Sequence, residues 1–392
     1  MLKNYRFPII TLALITSLIL SMFTGCNLSI NSEYFTDDTE KETSAEAEIG
    51  LDVVQQAWEI IFDEYVDKDK LDADKLSQAA IEGMLEALDD PYSSYMDTPT
   101  YQASVESYQG SYEGIGAYVG MRDEQIVIIA PFPDSPADRA GIKPGDILLE
   151  INGDSAIGIS ITEAVILIKG PKGTPVSLLI LHEDETEPVE IEVIRDKIDM
   201  ASVMFRMMED IAYIGIIQFT ERTSEEMTPV MEKMVQEEAT AIILDLRSNP
   251  GGLLDSVVDV ASRFINEGVV LKVVDNEGNK TVHHVNSGIE NTGLPMVVLT
   301  DNYTASASEV LAGALQDYDR AVIAGTITYG KGSVNLIHTL KDNSGLILTY
   351  ARWFTPDDHL IEGEGIIPDY EFDLKGEDAI QWAIDYLKEN RD

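Results

Sequence analysis

Two short stretches carry residue types able to do covalent chemistry on a carbonyl. Thr304-Ala305-Ser306-Ala307-Ser308-Glu309 sets small residues around a serine where a helix begins, and Gly330-Lys331-Gly332 sets one lysine between glycines. A serine hydroxyl attacks only when a neighbouring base takes its proton and donors hold the oxyanion. Histidine is the usual base. However, no G-x-S-x-G elbow occurs, and none of the histidines at 182, 283, 284, 338 and 359 stands in an obvious relation to Ser306. Lysine serves when it is neutral, and burial without a counter-ion drives its pKa toward working pH. Taken alone, Ser306 reads as a helix N-cap and Lys331 as a solvated turn lysine. Together, with glycines that let the lysine backbone come close, they point to a serine nucleophile and a lysine general base.

A third stretch bears on the oxyanion. Asp245-Leu246-Arg247-Ser248-Asn249-Pro250-Gly251-Gly252 ends an apolar run in a turn before a helix. Backbone N–H groups at such a turn bind anions. The Gly252 amide is a candidate for one oxyanion hydrogen bond and the Ala307 amide for the other. Asp245 and Arg247 are expected to pair. Gly325 to Lys331 also matches a phosphate-binding loop up to its last residue, but Gly332 replaces the metal-binding hydroxyl. Residues 334–338 then alternate like a strand instead of opening a helix, which argues against nucleotide.

The elements that must position these residues follow from the rest of the chain. It has 392 residues, enough for two or three domains, with 44% hydrophobic and 25% charged content. The net charge of −43 argues against nucleic acid as a partner. A single cysteine excludes an intramolecular disulfide, and no histidine sits at metal-binding spacing. Residues 1–26 read as a secretory signal: Lys3 and Arg6, an apolar run over 9–22, then Phe23-Thr24-Gly25-Cys26. That ending resembles a bacterial lipobox, so Cys26 is expected to be acylated and to tether the protein on the outer side of the membrane. Residues 27–48 are polar and acidic and read as a disordered spacer. Residues 51–88 are helical by apolar spacing and stop at Asp89-Asp90-Pro91-Tyr92. Their stripe packs on the rest of the chain or forms a homodimer.

From 110 to about 196, short β-like runs alternate with Gly/Pro/Asp turns, and one helix breaks in at about 162–168. Gly114-Ile115-Gly116-Ala117, Ser135-Pro136-Ala137, Ala140-Gly141-Ile142-Lys143-Pro144-Gly145-Asp146 and Gly170-Pro171-Lys172-Gly173-Thr174 together resemble a PDZ domain. Glycines at 114 and 116 free amides to hold a C-terminal carboxylate, while a strand edge pairs with the extended peptide. Beyond 200, strands at 213–219, 241–246, 297–300, 321–324 and 346–351 alternate with helices at 224–236, 254–264, 306–317 and 377–388. The first two strands are near-continuous apolar runs, as in a sheet covered on both faces.

Taken together, residues 50–390 resemble the carboxyl-terminal processing peptidases, also called tail-specific proteases. The resemblance rests on Leu88-Asp89-Asp90-Pro91-Tyr92-Ser93, the PDZ segment, the three stretches above, and Gly365-Ile366-Ile367-Pro368-Asp369. It implies an endopeptidase for proteins with exposed C-termini, a Ser306–Lys331 dyad, an oxyanion hole at Gly252 and Ala307, and neither metal nor cofactor. It also implies a glutamine four residues after the lysine to orient the amine; here that position is Asn335, one methylene shorter. The expected fold is multidomain α+β and α/β. It comprises a signal (1–26), a linker (27–48), an N-terminal helical region (49–105), a PDZ-like β domain (106–196) and a crotonase/ClpP-like ββα peptidase core (197–392). The alternatives are a weakened PDZ scaffold that only binds C-termini, motivated by Asn335, and an acyl-transfer enzyme of crotonase type, which the secretion signal disfavours.

Overall fold

The computed structural model describes residues 35–36, 45–122, 125–182 and 185–390. The expected signal, Cys26 and most of the expected spacer lie outside the described residues. Within the spacer span, β1 (Phe35–Thr36) pairs in parallel with Ile337–His338, and helix α1 (Ala45–Glu64) has already begun.

A 3-10 turn at Lys68–Lys70 separates α1 from α2 (Ala73–Glu86), so the helical stretch is a hairpin. Asp72 starts α2 by accepting from the Lys75 N–H at 3.1 Å. The apolar stripe is only partly covered: Trp58, Leu76 and Ile81 are half-buried, and α2 lies against residues 94–96. Val54 is 46% and Ile61 40% exposed, and α2 buries no residue at all. Next come β2 (Ser94–Met96) and α3 (Thr98–Gln109), a helix the sequence signals poorly because it lacks an apolar stripe. Its ends are nonetheless conventional. Asp97 accepts from the Thr100 N–H at 3.0 Å, and Gly110 closes the helix at φ 66°.

The PDZ-like part hangs on a two-stranded ribbon. β3 (Ser111–Gly114) leads in, and β10 (Asp196–Asp199) leads out antiparallel to it. Between them run β4 (Ala117–Arg122), β5 (Gln125–Pro131), the short helix α4 (Pro136–Arg139), β6 (Ile147–Ile151) and β7 (Asp154–Ser155). Helix α5 (Ile161–Ile168), β8 (Pro175–Leu181) and β9 (Val189–Ile194) complete it. The sheet order β4-β5-β6-β8-β9 leaves β4 on an edge beside α5. Ile115, Ile128, Leu148, Leu178 and Ile180 form a core separate from that of the body.

The body is built on β11 (Val203–Met208), β12 (Ile211–Ile216), β13 (Ala241–Asp245), β16 (Met296–Thr300), β17 (Val322–Gly325) and β20 (Tyr370–Glu371), adjacent in that order. β12 through β20 run parallel. Successive residues of a strand point to opposite faces, and both faces are covered. Ala212, Ile214, Ile242, Leu244 and Val298 pack under α6 (Thr223–Gln236), α7 (Leu254–Ala261) and α8 (Ala307–Asp317). Ile211, Tyr213, Ile243, Val297 and Leu299 pack under α9 (Gly376–Glu389). Each such fully buried aliphatic side chain stabilises the fold by about 1.5–3 kcal/mol. A second sheet of β14 (Val269–Asp275), β15 (Lys280–His284), β18 (Ser333–Thr339) and β19 (Gly345–Phe354), with β1 and β2 paired to it, lies beyond α8.

Candidate active site

Ser306 stands at the N-terminus of α8 with φ 55° and ψ −120°, a backbone conformation ordinarily reserved for glycine. The strain is held in place by Glu309, one turn on. Glu309 is fully buried and accepts four hydrogen bonds, the capacity of a carboxylate. Oε2 takes the Ser306 N–H at 2.8 Å and the Lys331 N–H at 2.8 Å. Oε1 takes the Thr328 hydroxyl and the Gly330 N–H, both at 2.6 Å. Burial pushes the Glu309 carboxyl up, and these four donors pull it back. One side chain thus ties the serine backbone to the lysine backbone.

Asn249 does the same on the other flank. It is fully buried; its Nδ2 donates to the Ile216 carbonyl at 2.8 Å and its Oδ1 accepts the Gly251 N–H at 2.9 Å. Its own carbonyl takes the Ala305 N–H at 3.0 Å and the Ser308 hydroxyl at 3.2 Å. The glycine turn is therefore pressed against the serine. A Cβ on Gly251 would meet Ser306 Cβ at 2.8 Å and the Ala307 nitrogen at 2.9 Å. A Cβ on Gly252, whose φ is 143°, would lie 1.9 Å from the Phe219 carbonyl oxygen. Among the described residues, neither the Gly252 nor the Ala307 amide has a recorded acceptor.

Ser306, Lys331 and Gly252 line one small cavity of about 110 Å³. Its walls are mixed: Leu253, Ile337, Ile347 and Trp353 from the body stand beside Ser333 and Asn335, with Tyr92 and Tyr108 from the N-terminal region. Two roomier clefts, of about 520 and 580 Å³, lie elsewhere on the body and contain neither Ser306 nor Lys331. Burial pushes the Lys331 amine below the ordinary lysine range, against the opposing pull of Glu362, Glu309 and Asp90. Its Nζ lies 5.5 Å from the centroid of the Tyr92 ring. No hydrogen bond joins the Lys331 amine to the Ser306 hydroxyl in this structure, although both residues line the cavity.

Asn335 bonds elsewhere than to the lysine amine. Its Nδ2 donates to the Tyr92 carbonyl at 3.0 Å and the Thr349 hydroxyl at 3.2 Å, while Oδ1 faces the Ser333 hydroxyl at 3.5 Å. The shorter side chain keeps its amide on the 90–93 turn, and it forms no bond to the lysine amine. Asp245 and Arg247 pair as anticipated. Arg247 Nε reaches both Asp245 oxygens at 2.9 and 3.1 Å, its Nη2 also donates to Oδ2, and Tyr213 donates to Asp245 at 2.9 Å. Residues from Ser333 onward enter strand β18, so the lysine loop does not open a helix as a phosphate loop would. Residues 114–117 form the turn from β3 to β4, with Ile115 buried and the Ala117 amide on the Tyr112 phenol, whose pKa burial pushes to about 12. Glu309, Asn249, Tyr92 and Tyr108 escaped the reading of the sequence. Only Glu309 had a signal, the capping-box spacing Ser-x-x-Glu.

Comparison with known proteins follows this geometry. Three family models match the chain: peptidase family S41 over residues 210–372, the N-terminal domain of activating protease CtpB over 16–100, and a PDZ domain over 127–182. The carboxy-terminal processing protease CtpB of Bacillus subtilis (strain 168) is 35% identical over 332 residues, covering 83% of this chain and 68% of that protein. CtpA of the same organism is 35% identical over 370 residues, covering 94% and 77%. A solved putative S41 protease from Bacteroides fragilis NCTC 9343 superposes over 91% of this chain and 100% of its own, with a TM-score of 0.52 at 16% identity, a likeness of fold.

Proposed function

The chain belongs to peptidase family S41, among the carboxy-terminal processing serine proteases, and from that premise we propose that Ser306 is its nucleophile and Lys331 its general base. Ser306 Oγ attacks the scissile carbonyl while its proton passes to Lys331 Nζ. The Gly252 and Ala307 amides hold the oxyanion. The lysine then returns the proton to the leaving amine, and water resolves the acyl-enzyme. The observation that carries this reading is the shared cavity, in which a buried amine of lowered basicity, a strained serine and the glycine turn at Gly252 meet.

The PDZ-like part is the proposed tail receiver. A substrate's C-terminal carboxylate would settle on the 114–117 turn while its last residues extend along the free edge of β4, beside α5. Secretion, acylation at Cys26 and residence on the outer face of the membrane complete the proposal. So does a homodimer through α1 and α2, whose apolar residues are exposed.

The test is proteolysis of an unfolded protein with an apolar C-terminal tail. Wild type should cleave it and Ser306→Ala should not; a fluorophosphonate should label Ser306. Equal cleavage by both proteins ends the Ser-Lys reading. Absence of labelling and cleavage together leaves the tail-binding scaffold as the better description.

A further inference from the structure

A base that accepts a proton inside a protein must be neutral at rest and welcome as a cation an instant later. The first half of that requirement is met by burial of Lys331. The second half needs groups that gain only when the ammonium forms. Two such groups flank the lysine and have no place in the mechanism above.

The first is Glu362. Its backbone lies against the lysine loop. A Cβ on Gly332 would meet the Glu362 nitrogen at 2.2 Å and its Cβ at 2.8 Å, and the Gly363 N–H donates to the Gly330 carbonyl at 2.9 Å. Its Oε2 is buried and has no hydrogen-bond partner. A buried, unpartnered carboxylate oxygen costs stability, and the protein keeps one beside the loop that carries Lys331. The second group is Tyr92, whose ring faces Lys331 Nζ at 5.5 Å to the centroid. An aromatic face attracts an ammonium and not an amine. The Tyr92 main chain is held there by Asn335 Nδ2 at 3.0 Å, and the turn is braced by Ser93, which donates to Asp90 at 2.6 Å and accepts from the Thr349 N–H at 3.0 Å.

Resting on the Ser-Lys reading, we propose that Glu362 and Tyr92 are positioning residues that stabilise the ammonium Lys331 becomes as it takes the Ser306 proton. The O–H bond of Ser306 breaks, an N–H bond forms on Lys331, and the positive charge appears between a carboxylate and a ring already in place. When the proton passes on to the leaving amine, the charge and the stabilisation vanish together. This is preorganised electrostatics aimed at charge that develops only during reaction. The charged and titratable groups facing Lys331 are Glu362 from the segment after β19, Glu309 from α8, and Asp90 and Tyr92 from the turn before β2. Glu309 is committed to four donors, as described. Burial foremost, then Glu362, Tyr329 and Glu309, push the Tyr92 phenol up, with Arg352 opposing them.

The experiment is the rate of fluorophosphonate labelling of Ser306 against pH, in full-length protein. Glu362 favours the charged lysine, so removing its charge makes the amine easier to deprotonate. Glu362→Gln should move the acid limb of the labelling profile to lower pH by about one unit and lower the plateau rate about tenfold. Glu362→Asp, which keeps the charge, should hold the wild-type midpoint. Tyr92→Leu should shift the limb the same way, whereas Tyr92→Phe, which keeps the ring, should not. Glu364→Gln, exposed two residues away, is the charge control and should change nothing. A midpoint unmoved in Glu362→Gln, in protein whose thermal transition matches wild type, overturns the proposal. The Ser-Lys reading fails separately: it falls if Lys331→Met labels as fast as wild type.

Discussion

At the scale of single residues, the site depends on one carboxylate that never meets substrate. Glu309 joins the Ser306 amide, the Lys331 amide, the Gly330 amide and the Thr328 hydroxyl. Glu309→Gln keeps the shape but turns one end into a donor that faces donors. At least one of these amides is left unsatisfied, at a cost of about 1–3 kcal/mol, and the serine and lysine loops lose their common anchor. Displacements of an ångström at such a site cost roughly 10²-fold in rate. We therefore expect Glu309→Gln to retain a folded core, melt lower, and lose about two orders of magnitude in cleavage of an unfolded protein. Near-wild-type turnover would show that the two loops hold their geometry without it. Lys331 carries the opposite trade. Its folded pKa is depressed by burial, so the unfolded chain binds more protons between the two pKa values and stability rises with pH across that window. The cost is fully present below the folded pKa and gone above the unfolded value near about 10.4. Lys331→Met should thus abolish cleavage yet raise the melting temperature at pH 7, with the gain shrinking toward pH 10. A melting temperature lowered at pH 7 would mean the amine is stabilising where it sits.

At the scale of elements, close approach of backbones explains which residues the sequence displays and which it hides. The glycine at 252 is visible because nothing else fits: a Cβ would stand 1.9 Å from the Phe219 carbonyl, at a φ of 143°. Gly252→Ala should lose labelling by a fluorophosphonate and destabilise the protein by at least about 2 kcal/mol in chemical denaturation; a variant as stable as wild type would contradict the packing of the 249–253 turn on β12. The apolar runs that became β12 and β13 were legible for a related reason, since a strand covered on both faces can carry nothing but apolar side chains. So were α6, α8 and α9, whose stripes face those strands. The hairpin of β14 and β15 was not legible, because β15 is exposed on both faces and reads as a polar loop in Lys280-Thr281-Val282-His283-His284. Nor was α3, which buries only Tyr101 and is specified by its caps. In the site, Ser306 and Lys331 stood out by motif, whereas Tyr92 and Tyr108 reach the cavity from a region far away in sequence. Only tertiary packing brings that region there. Asn335 shows the limit of reading by analogy: a side chain one methylene shorter than the glutamine the resemblance implies finds the Tyr92 carbonyl instead of the lysine amine.

At the scale of the whole molecule, the N-terminal hairpin is an unfinished surface. Leu51 is 64% exposed, Val53 61%, Val54 46%, Ile60 48% and Met84 58%, on helices whose described residues include none buried in α2. Apolar area of this extent on paired helices marks an interaction site. The net charge of −43 disfavours self-association by any polar face, so the proposed second copy would meet the first through this apolar stripe. The same hairpin leads into the turn that carries Tyr92 into the cavity, which joins assembly to the site through a few residues of chain. We expect the protein from residue 45 onward to sediment as a dimer at micromolar concentration. Val54→Asp with Ile61→Asp, both exposed and remote from Ser306 in sequence, should return it to a monomer. A wild-type protein that stays monomeric at every concentration tested would remove the dimer. Cleavage that is unchanged in the monomeric double variant would show that the hairpin positions Tyr92 without a partner's help.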